Sequence, residues 1–295
     1  MSLMNSEQQE SLNGVLVLNK PQGFTSFDAI AKLRGILHTR KIGHSGTLDP
    51  MATGVLPVFI GSATKAADML PDSTKSYTAR FRLGLTTDTQ DITGKVLSET
   101  TDFDVSEKDI LNVIERFKGE IQQLPPMFSA KKVGGKKLYE LARKGIEIER
   151  SNQTVTVYSI TLEDFDAVGG SLNVVCSKGT YIRTVIHDIG QFLGTGAVMT
   201  ALTRLSSGSF TIAGSLTFEQ IEELARGNAL QLIPVESLFM YMPEIRLNES
   251  ETVKYKNGVK LKRPQYGEFR IYADSGGFLG IGSNENGLLR VRKNF

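Results

Sequence analysis

The residues SYTARFRLG, from Ser76 to Gly84, alternate strictly: Tyr77, Ala79, Phe81 and Leu83 share one face, and Arg80 and Arg82 the other. A period of two with one apolar and one charged face describes a strand buried on a single side, as antiparallel sheets commonly are. Other runs join it. GVLVLNK reads as a strand that stops at Lys20-Pro21, and VLPVFIG, Val155 to Leu162, Leu172 to Cys176 and Met199 to Leu205 read as further strands. Helices fall between them at irregular intervals. Thr25 and Asp28 stand at capping-box spacing ahead of Phe27, Ile30, Leu33 and Leu37, which predicts a helix to about His38. Ser106 and Asp109 do the same for a helix burying Ile110, Val113, Ile114 and Phe117. Ile182, Val185, Ile186, Ile189 and Leu193 mark a third helix, with Arg183 beside its stripe, and Thr217 caps a fourth. Strands and helices that interleave without regular βαβ spacing predict an α+β fold with a mixed, largely antiparallel sheet.

At 295 residues the chain is long enough for a large body plus an appendage. The body is expected over 14–243. Residues 244–295 hold short β-type runs separated by Gly and Asn, which predicts a small β domain. Residues 1–13, MSLMNSEQQESLN, read as a disordered polar leader without the apolar core of a signal peptide. No stretch approaches the ~18 apolar residues of a membrane span, so a cytoplasmic protein is expected.

Charge is polarised along the chain although the net charge is only +2. Met127 to Arg150 carries seven basic and three acidic residues, and Lys254 to Phe295 nine and three, whereas Gly84 to Leu124 carries four and nine. Separate basic surfaces fit a partner with an extended phosphate backbone, and equally fit ordinary solvated faces. One cysteine, Cys176, excludes an internal disulfide, and with three histidines it leaves too few ligands for a structural zinc site. No metal is expected. Cys176 lies in the apolar run LNVVC and reads as core, and His38 and His187 read as helix-surface or satisfied structural residues.

The oddest passage is the loop KIGHSGTLDPMATG, where Gly43, Gly46 and Gly54 surround Asp49-Pro50. The glycines permit close backbone approach, and Pro50 keeps Asp49 out of the α region, so a carboxylate is presented from a rigid turn. From the spacing alone a connecting turn, with Asp49 bonding neighbouring backbone, is the plainer reading. Rival chemistries fail on detail. Neither GHSGT nor GSATK matches a P-loop, no GxGxxG follows Val15 to Leu18, and the His-x-Glu and Cys-x-x-Cys set of the zinc deaminases is missing.

GHSGTLDPMATG resembles the catalytic loop of the TruB family, the bacterial tRNA pseudouridine synthases that modify the T-loop uridine at position 55. LNKPQGFTSFDA, SYTARFRLGLTTDTQDITG, GKKLYELARKGIEIER and SKGTYIRTVIHDIG each look like their counterparts in order, so the likeness spans nearly the whole chain. The resemblance implies the pseudouridine synthase fold around a central cleft, followed by a PUA-like RNA-binding domain. It implies a cofactor-free isomerisation in which uracil is detached from C1′, rotated and rejoined through C5. The family's essential Asp falls on Asp49, its active-site Tyr on Tyr77, its partner Arg on Arg183 and its Lys-Pro pair on Lys20-Pro21. His44 matches the histidine that helps hold the displaced T-loop nucleotides.

That set is chemically coherent. An ionised carboxylate can attack C1′ or uracil C6, or remove a sugar proton, and a guanidinium pairing with it bidentately lowers its pKa against the opposing effect of burial. Tyr77 suits stacking on uracil better than proton transfer, because an unperturbed phenol near ~10 is a poor base at neutral pH. Lys20 is read as a buttress of the loop or as a phosphate ligand, and Tyr181 as packing near the base or supporting Arg183. The insertion at about 124–152, with Lys131, Lys132, Lys136, Lys137, Arg143 and Lys144, resembles the family's RNA-gripping arm, made flexible by Gly134 and Gly135. The expected partner is the T-stem-loop of tRNA, bound by a monomer with no obligate protein partner. The alternative is a tRNA-folding chaperone whose modification activity is secondary.

Overall fold

The computed structural model describes residues 12–295, so the expected leader lies almost wholly outside the described residues. Its final residue is fixed: Asn13 Oδ1 accepts from Ala63 N at 2.9 Å and from Ser62 Oγ at 2.8 Å. From there run β1 (Gly14–Lys20), α1 (Ser26–Ile36), β2 (Ile42–His44), β3 (Thr53–Ile60) and β4 (Lys75–Leu83). A hairpin of β5 (Leu85–Thr87) and β6 (Val96–Glu99) leads to α2 (Glu107–Ile114) and β7 (Gly119–Gln123). The insertion folds as β8 (Lys132–Val133), β9 (Lys136–Lys137) and α3 (Leu138–Ala142). β10 (Gln153–Phe165), β11 (Gly169–Cys176), α4 (Ile182–Phe192), β12 (Ala197–Ser207), β13 (Phe210–Thr211) and α5 (Phe218–Arg226) complete the body.

One sheet organises it, in the order β1-β3-β12-β4-β11-β10-β7, with β2 on β3 and β13 on β12. Its pairings are antiparallel except β3 with β12, so the sheet is mixed and largely antiparallel, as the sequence predicts. The alternation of β4 decides which face is inside. Tyr77, Ala79, Phe81 and Leu83 are buried while Arg80 and Arg82 are exposed. α2 and α4 cover that face with Ile110, Ile114, Ile182, Val185, Ile186 and Ile189 in one apolar cluster, where a single Ile→Ala change costs about 2–5 kcal/mol.

The face of β1 and β3 under α1 and α5 is a second cluster, built from Leu16, Leu18, Ile30, Leu33, Leu56 and Phe218. Here one expectation fails. Phe27 is 69% exposed, and Ser26 is buried in its place, because the Ser26 hydroxyl accepts from Leu48 N at 2.9 Å and donates to Leu48 O at 3.2 Å. α1 also ends earlier than predicted, at Ile36, with His38 in the left-handed conformation at φ 48°.

Beyond residue 243 a separate five-stranded sheet forms from β14 (Glu244–Leu247), β15 (Leu261–Lys262), β16 (Gly267–Ala273), β17 (Phe278–Glu285) and β18 (Leu288–Asn294), with α6 (Glu249–Lys256) between the first two. The predicted small β unit is present. It packs on the other face of β1 and β3: Phe295 stacks on Phe239 at 5.9 Å and on Phe278 at 5.8 Å, and Lys65 Nζ donates to Asn294 O at 2.8 Å. No described helix is long and apolar enough to cross a membrane.

The parallel contact positions the glycine loop. β3 and β12 touch only where Thr53 lies beside Thr203 and Gly54 beside Arg204. A Cβ on Gly54 would sit 2.3 Å from Arg204 O, and Gly54 has φ +98°, so no side chain fits there. Gly54→Ala is therefore expected to cost about 2 kcal/mol or more, read as a lower urea midpoint with unchanged m.

Candidate active site

The loop from Ser45 to Ala52 leaves the sheet between β2 and β3 and is tied down at several points. Ser45 N donates to Pro57 O, Gly23 N to Pro50 O, and Ala52 N to Asp49 O, closing a turn around Pro50. Gly46 needs its left-handed φ of +72°, and a Cβ there would press on Arg204 and Lys75 at 3.3 Å. Gly43 needs nothing special: it sits inside β2 with only Thr64 within reach of a Cβ.

Two buried cations support the loop from below. Lys20 is 0% exposed, and its ammonium donates to Phe24 O at 2.7 Å, Pro21 O at 3.0 Å and Pro50 O at 3.5 Å. Those bonds make the buttress geometry and leave the phosphate-ligand reading of Lys20 without an open donor. Burial pushes its pKa down to about 8, partly offset by attraction to Asp49. Arg204, also 0% exposed, donates from Nε to Val55 O at 2.7 Å and from Nη2 to Gly46 O at 2.9 Å. An unpaired buried cation is expensive, so each donor bonded to the loop's carbonyls fixes the loop in turn.

Asp49 faces a cavity of about 570 Å³ whose lining includes Leu48, Lys75, Tyr77, Tyr181, Arg183 and Leu202. Its Oδ2 lies 2.9 Å from Arg183 Nε, with about a third of the side chain left open to the cleft. No neighbouring backbone donor reaches the carboxylate among the described residues, so the connecting-turn reading does not describe it. The pairing is through one nitrogen. Arg183 sends Nη1 to Thr89 O at 2.9 Å and to Asp91 Oδ2 at 3.5 Å, and Nη2 to Phe128 O at 2.9 Å. The expected bidentate fork is thus replaced by a guanidinium shared among four groups. Asp91 is itself fixed, its Oδ1 accepting from Thr89 Oγ1, Thr93 N and Thr93 Oγ1.

The balance at Asp49 follows. Loss of water raises its pKa, Arg183 opposes that, Asp91 raises it further, and Lys20 lowers it. Burial wins. Tyr77 is 6% exposed and burial pushes its phenol up to about 12, with the nearby Arg204 charge acting the other way. It is a neutral ring at ordinary pH.

Other expected residues fall around this centre. Tyr181 caps α4 and is clamped by Gln123, which accepts from Tyr181 N at 2.8 Å and donates to Tyr181 O at 3.0 Å. His44 is half-buried at the end of β2; burial and Arg204 hold its pKa down, and Nδ1 has no partner among the described residues. His187 is half-buried on α4 with Nδ1 likewise unpartnered among the described residues, so of the two expected readings the helix-surface one fits it better than the satisfied one. Cys176 is fully buried, its thiol pushed up to about 11, which matches the core reading.

In the insertion, Lys132–Val133 pairs with Lys136–Lys137 across Gly134 and Gly135, both at positive φ (57° and 80°). These glycines make a tight primed hairpin turn rather than supplying looseness. Lys132 and Lys136 are exposed, Lys131 reaches Gln153 Oε1 at 3.2 Å, and Lys137 lies 5.5 Å from the Tyr139 ring centre. The root of the insertion reaches the site through Phe128 O. Sequence reasoning missed Asp91, Arg204 and this carbonyl. A lone arginine in the apolar strand MTALTRLSS was the available signal for Arg204.

Comparison with known proteins gives the family and the fold. The family described as TruB family pseudouridylate synthase (N terminal domain) matches residues 34–182. Two C-terminal domains, tRNA pseudouridylate synthase B and Pseudouridine synthase II TruB, match 183–239 and 243–293. The chain is 43% identical to tRNA pseudouridine synthase B of Clostridium kluyveri, over 96% of this chain and 100% of the relative. It is 42% identical to the Bacillus pumilus protein of that name, over 89% and 87%. Among solved structures it resembles a chain of a Cbf5-Nop10-Gar1 complex, with TM-score 0.70, 26% identity, and 95% and 84% coverage. A chain of an H/ACA RNP bound to substrate RNA containing 2′-deoxyuridine gives TM-score 0.69, 25% identity, and 96% and 84% coverage.

Carbon NMR titration of the Asp49 carboxyl should give a midpoint above the ordinary 3.8. Removing Arg183 as Arg183→Gln should raise it more than Lys20→Met does, following the order of the two charges; a fall in either variant would contradict this balance.

Proposed function

The chain belongs to the TruB family of pseudouridylate synthases and is a tRNA pseudouridine synthase, an isomerase; from that premise we propose that its target is the T-loop uridine, position 55. The observation that carries the reading is the cavity itself: Asp49, held through one oxygen by Arg183, opens onto a space walled by Tyr77 and Leu202. A uracil enters such a space only when flipped from its stack, at a cost of a few kcal/mol that the site's contacts offset. Tyr77 and Leu202 then hold its ring from the apolar side.

In this reading the N1–C1′ bond breaks, uracil turns, and a C5–C1′ bond forms. The C5 proton leaves and N1 regains one, so nothing is oxidised, reduced or hydrolysed. Asp49 supplies the negative charge that opens the glycosidic bond, and the Arg183 guanidinium, denied free rotation by Thr89 O and Phe128 O, keeps the carboxylate aimed. Tyr77, a neutral phenol with its pKa at about 12, stacks on the base rather than removing the C5 proton. His44 fills the gap left in the T-loop by the flipped nucleotide, stacking as an uncharged ring.

The insertion brings the RNA. Lys132 and Lys136 stand exposed on a narrow hairpin, and none of Lys131, Lys132, Lys136 and Lys137 takes part in an ion pair among the described residues, so their charge is free for phosphate. The same lysines support a second role, in which the protein captures and refolds tRNA independently of modification. The enzyme acts alone, as a monomer, without a protein partner or cofactor.

With purified protein as the sole macromolecule added, unmodified tRNA should gain pseudouridine at position 55. Asp49→Asn should yield none while still binding the tRNA. A wild-type protein silent on every tRNA, or active only with a partner added, would overturn the reading. The single-turnover rate should fall on the acid side as Asp49 protonates, at a midpoint above 3.8, and show no alkaline limb assignable to Tyr77 below about 12.

A further inference from the structure

Lys75 is the first residue of β4 and shares a face with Tyr77, two positions along the same alternation. It therefore points into the cleft, about 7 Å along the strand from the proposed stacking ring. Its backbone is fixed on both sides, against Cys176 of β11 and Ser207 of β12. The side chain lines the cavity together with Lys178, Ser129, Thr180 and Ser207.

Among the described residues no carboxylate forms an ion pair with a lysine at this end of the cavity. Among the described residues neither Lys75 nor Lys178 takes part in an ion pair, and the Lys75 ammonium has one long bond, to Ser73 O at 3.3 Å. Asp72 lines the same wall, accepts from Thr74 N through Oδ1 at 2.7 Å and attracts the Lys75 ammonium at a distance, but it and Asp68 are both exposed to solvent, where water screens their charge. Behind the lysine lies Arg204, fully buried, with Nη1 lacking any partner. That Nη1 and Lys75 Cε both lie 3.3 Å from where a Gly46 Cβ would stand, so the two cations converge on one spot beside the catalytic loop. A half-buried ammonium beside the unpartnered Nη1 of a buried guanidinium, with the exposed Lys178 ammonium lining the same cavity, describes a place shaped for an anion.

We propose that Lys75 and Lys178, backed by Arg204 Nη1, form a phosphate subsite that holds the RNA backbone of the nucleotide whose uracil stacks on Tyr77. This rests on the cavity being the uridine site. Its physical logic is that Asp49 and a phosphate are both anions, so the backbone is drawn to cations of the cavity that do not pair with Asp49. The subsite then fixes the sugar between two points, the base at Tyr77 and the phosphate at Lys75, which places C1′ against Asp49.

The test uses full-length protein and an RNA T-stem-loop, comparing wild type, Lys75→Met, Lys178→Gln and the double variant. Binding measured across salt concentrations should show a slope of log affinity against log salt shallower by about 1 for each lysine removed. Lys75→Arg should restore the wild-type slope, which a packing defect would not allow. Neutralising the phosphate 5′ or 3′ of the target uridine as a methylphosphonate should weaken wild-type binding and cost the double variant nothing further. An unchanged slope in the double variant, or equal loss from both methylphosphonates in both proteins, overturns the subsite while wild-type turnover leaves the uridine-site reading intact. If Lys75→Met fails to fold, Lys178→Gln, on an exposed turn, carries the same comparison alone. A wild-type protein that makes no pseudouridine in the stem-loop overturns the uridine-site reading instead.

Discussion

A guanidinium taken out of water must find an acceptor for each of its nitrogens, and at Arg183 that requirement gathers the site. Its donors reach the glycine loop at Asp49, the turn after β5 at Thr89 and Asp91, and the root of the basic insertion at Phe128. These segments are far apart in sequence, and the turn at Thr89–Asp91 is held in place also by backbone bonds to Met199 and by Thr184 Oγ1 on Gln90 Oε1. α4, which carries Arg183, is anchored in turn by Ile182, Val185, Ile186 and Ile189 against the buried face of β4. The hydrophobic layer thus sets the position of one charge, and that charge sets the positions of the rest.

Beneath the loop the arrangement is reversed. Lys20 and Arg204 are enclosed without a carboxylate in contact, and both spend donors on main-chain carbonyls of the Asp49 segment. Carbonyl dipoles satisfy such cations while leaving Asp49's own charge to the cleft. One of them still acts on it at a distance: Lys20 lowers the pKa of Asp49 although the ammonium bonds only carbonyls. Both side chains hold the loop rigid, while Lys20 tunes Asp49 and Arg204 acts on Tyr77 and His44.

Much of this was legible in the sequence, and the boundary has a physical basis. The alternation of β4, the capping boxes at Thr25, Ser106 and Thr217, and the glycine-bearing loop are local patterns, and each appears in the structure. Phe27 misled because periodicity records that a residue is apolar, not that a serine next to it has a better partner in Leu48. Asp91 and Arg204 act across 92 and 149 residues, and no local pattern carries such contacts. Phe128 contributes a carbonyl, which every residue has, so its part in the site has no signature in residue type at all. The glycine pair at 134 and 135 was seen but misread, because two consecutive glycines serve a primed turn as readily as a loose linker.

On the function proposed above, the hydrogen bond from Arg183 Nη2 to Phe128 O joins two things usually discussed apart, the grip of the insertion on RNA and the readiness of the Asp49 carboxylate. Any displacement of the insertion's root leaves a buried nitrogen short of a partner, and so alters the free energy of the arrangement that aims Asp49. By thermodynamic reciprocity the converse holds: whatever stabilises the aimed carboxylate, a correctly seated nucleoside included, also stabilises the root of the insertion where it bonds Arg183. An RNA that the lysines hold but whose base does not fit forfeits that second contribution. On that proposed function, discrimination among structured RNAs is written into a shared equilibrium, and reading the base and retaining the strand become a single act of binding.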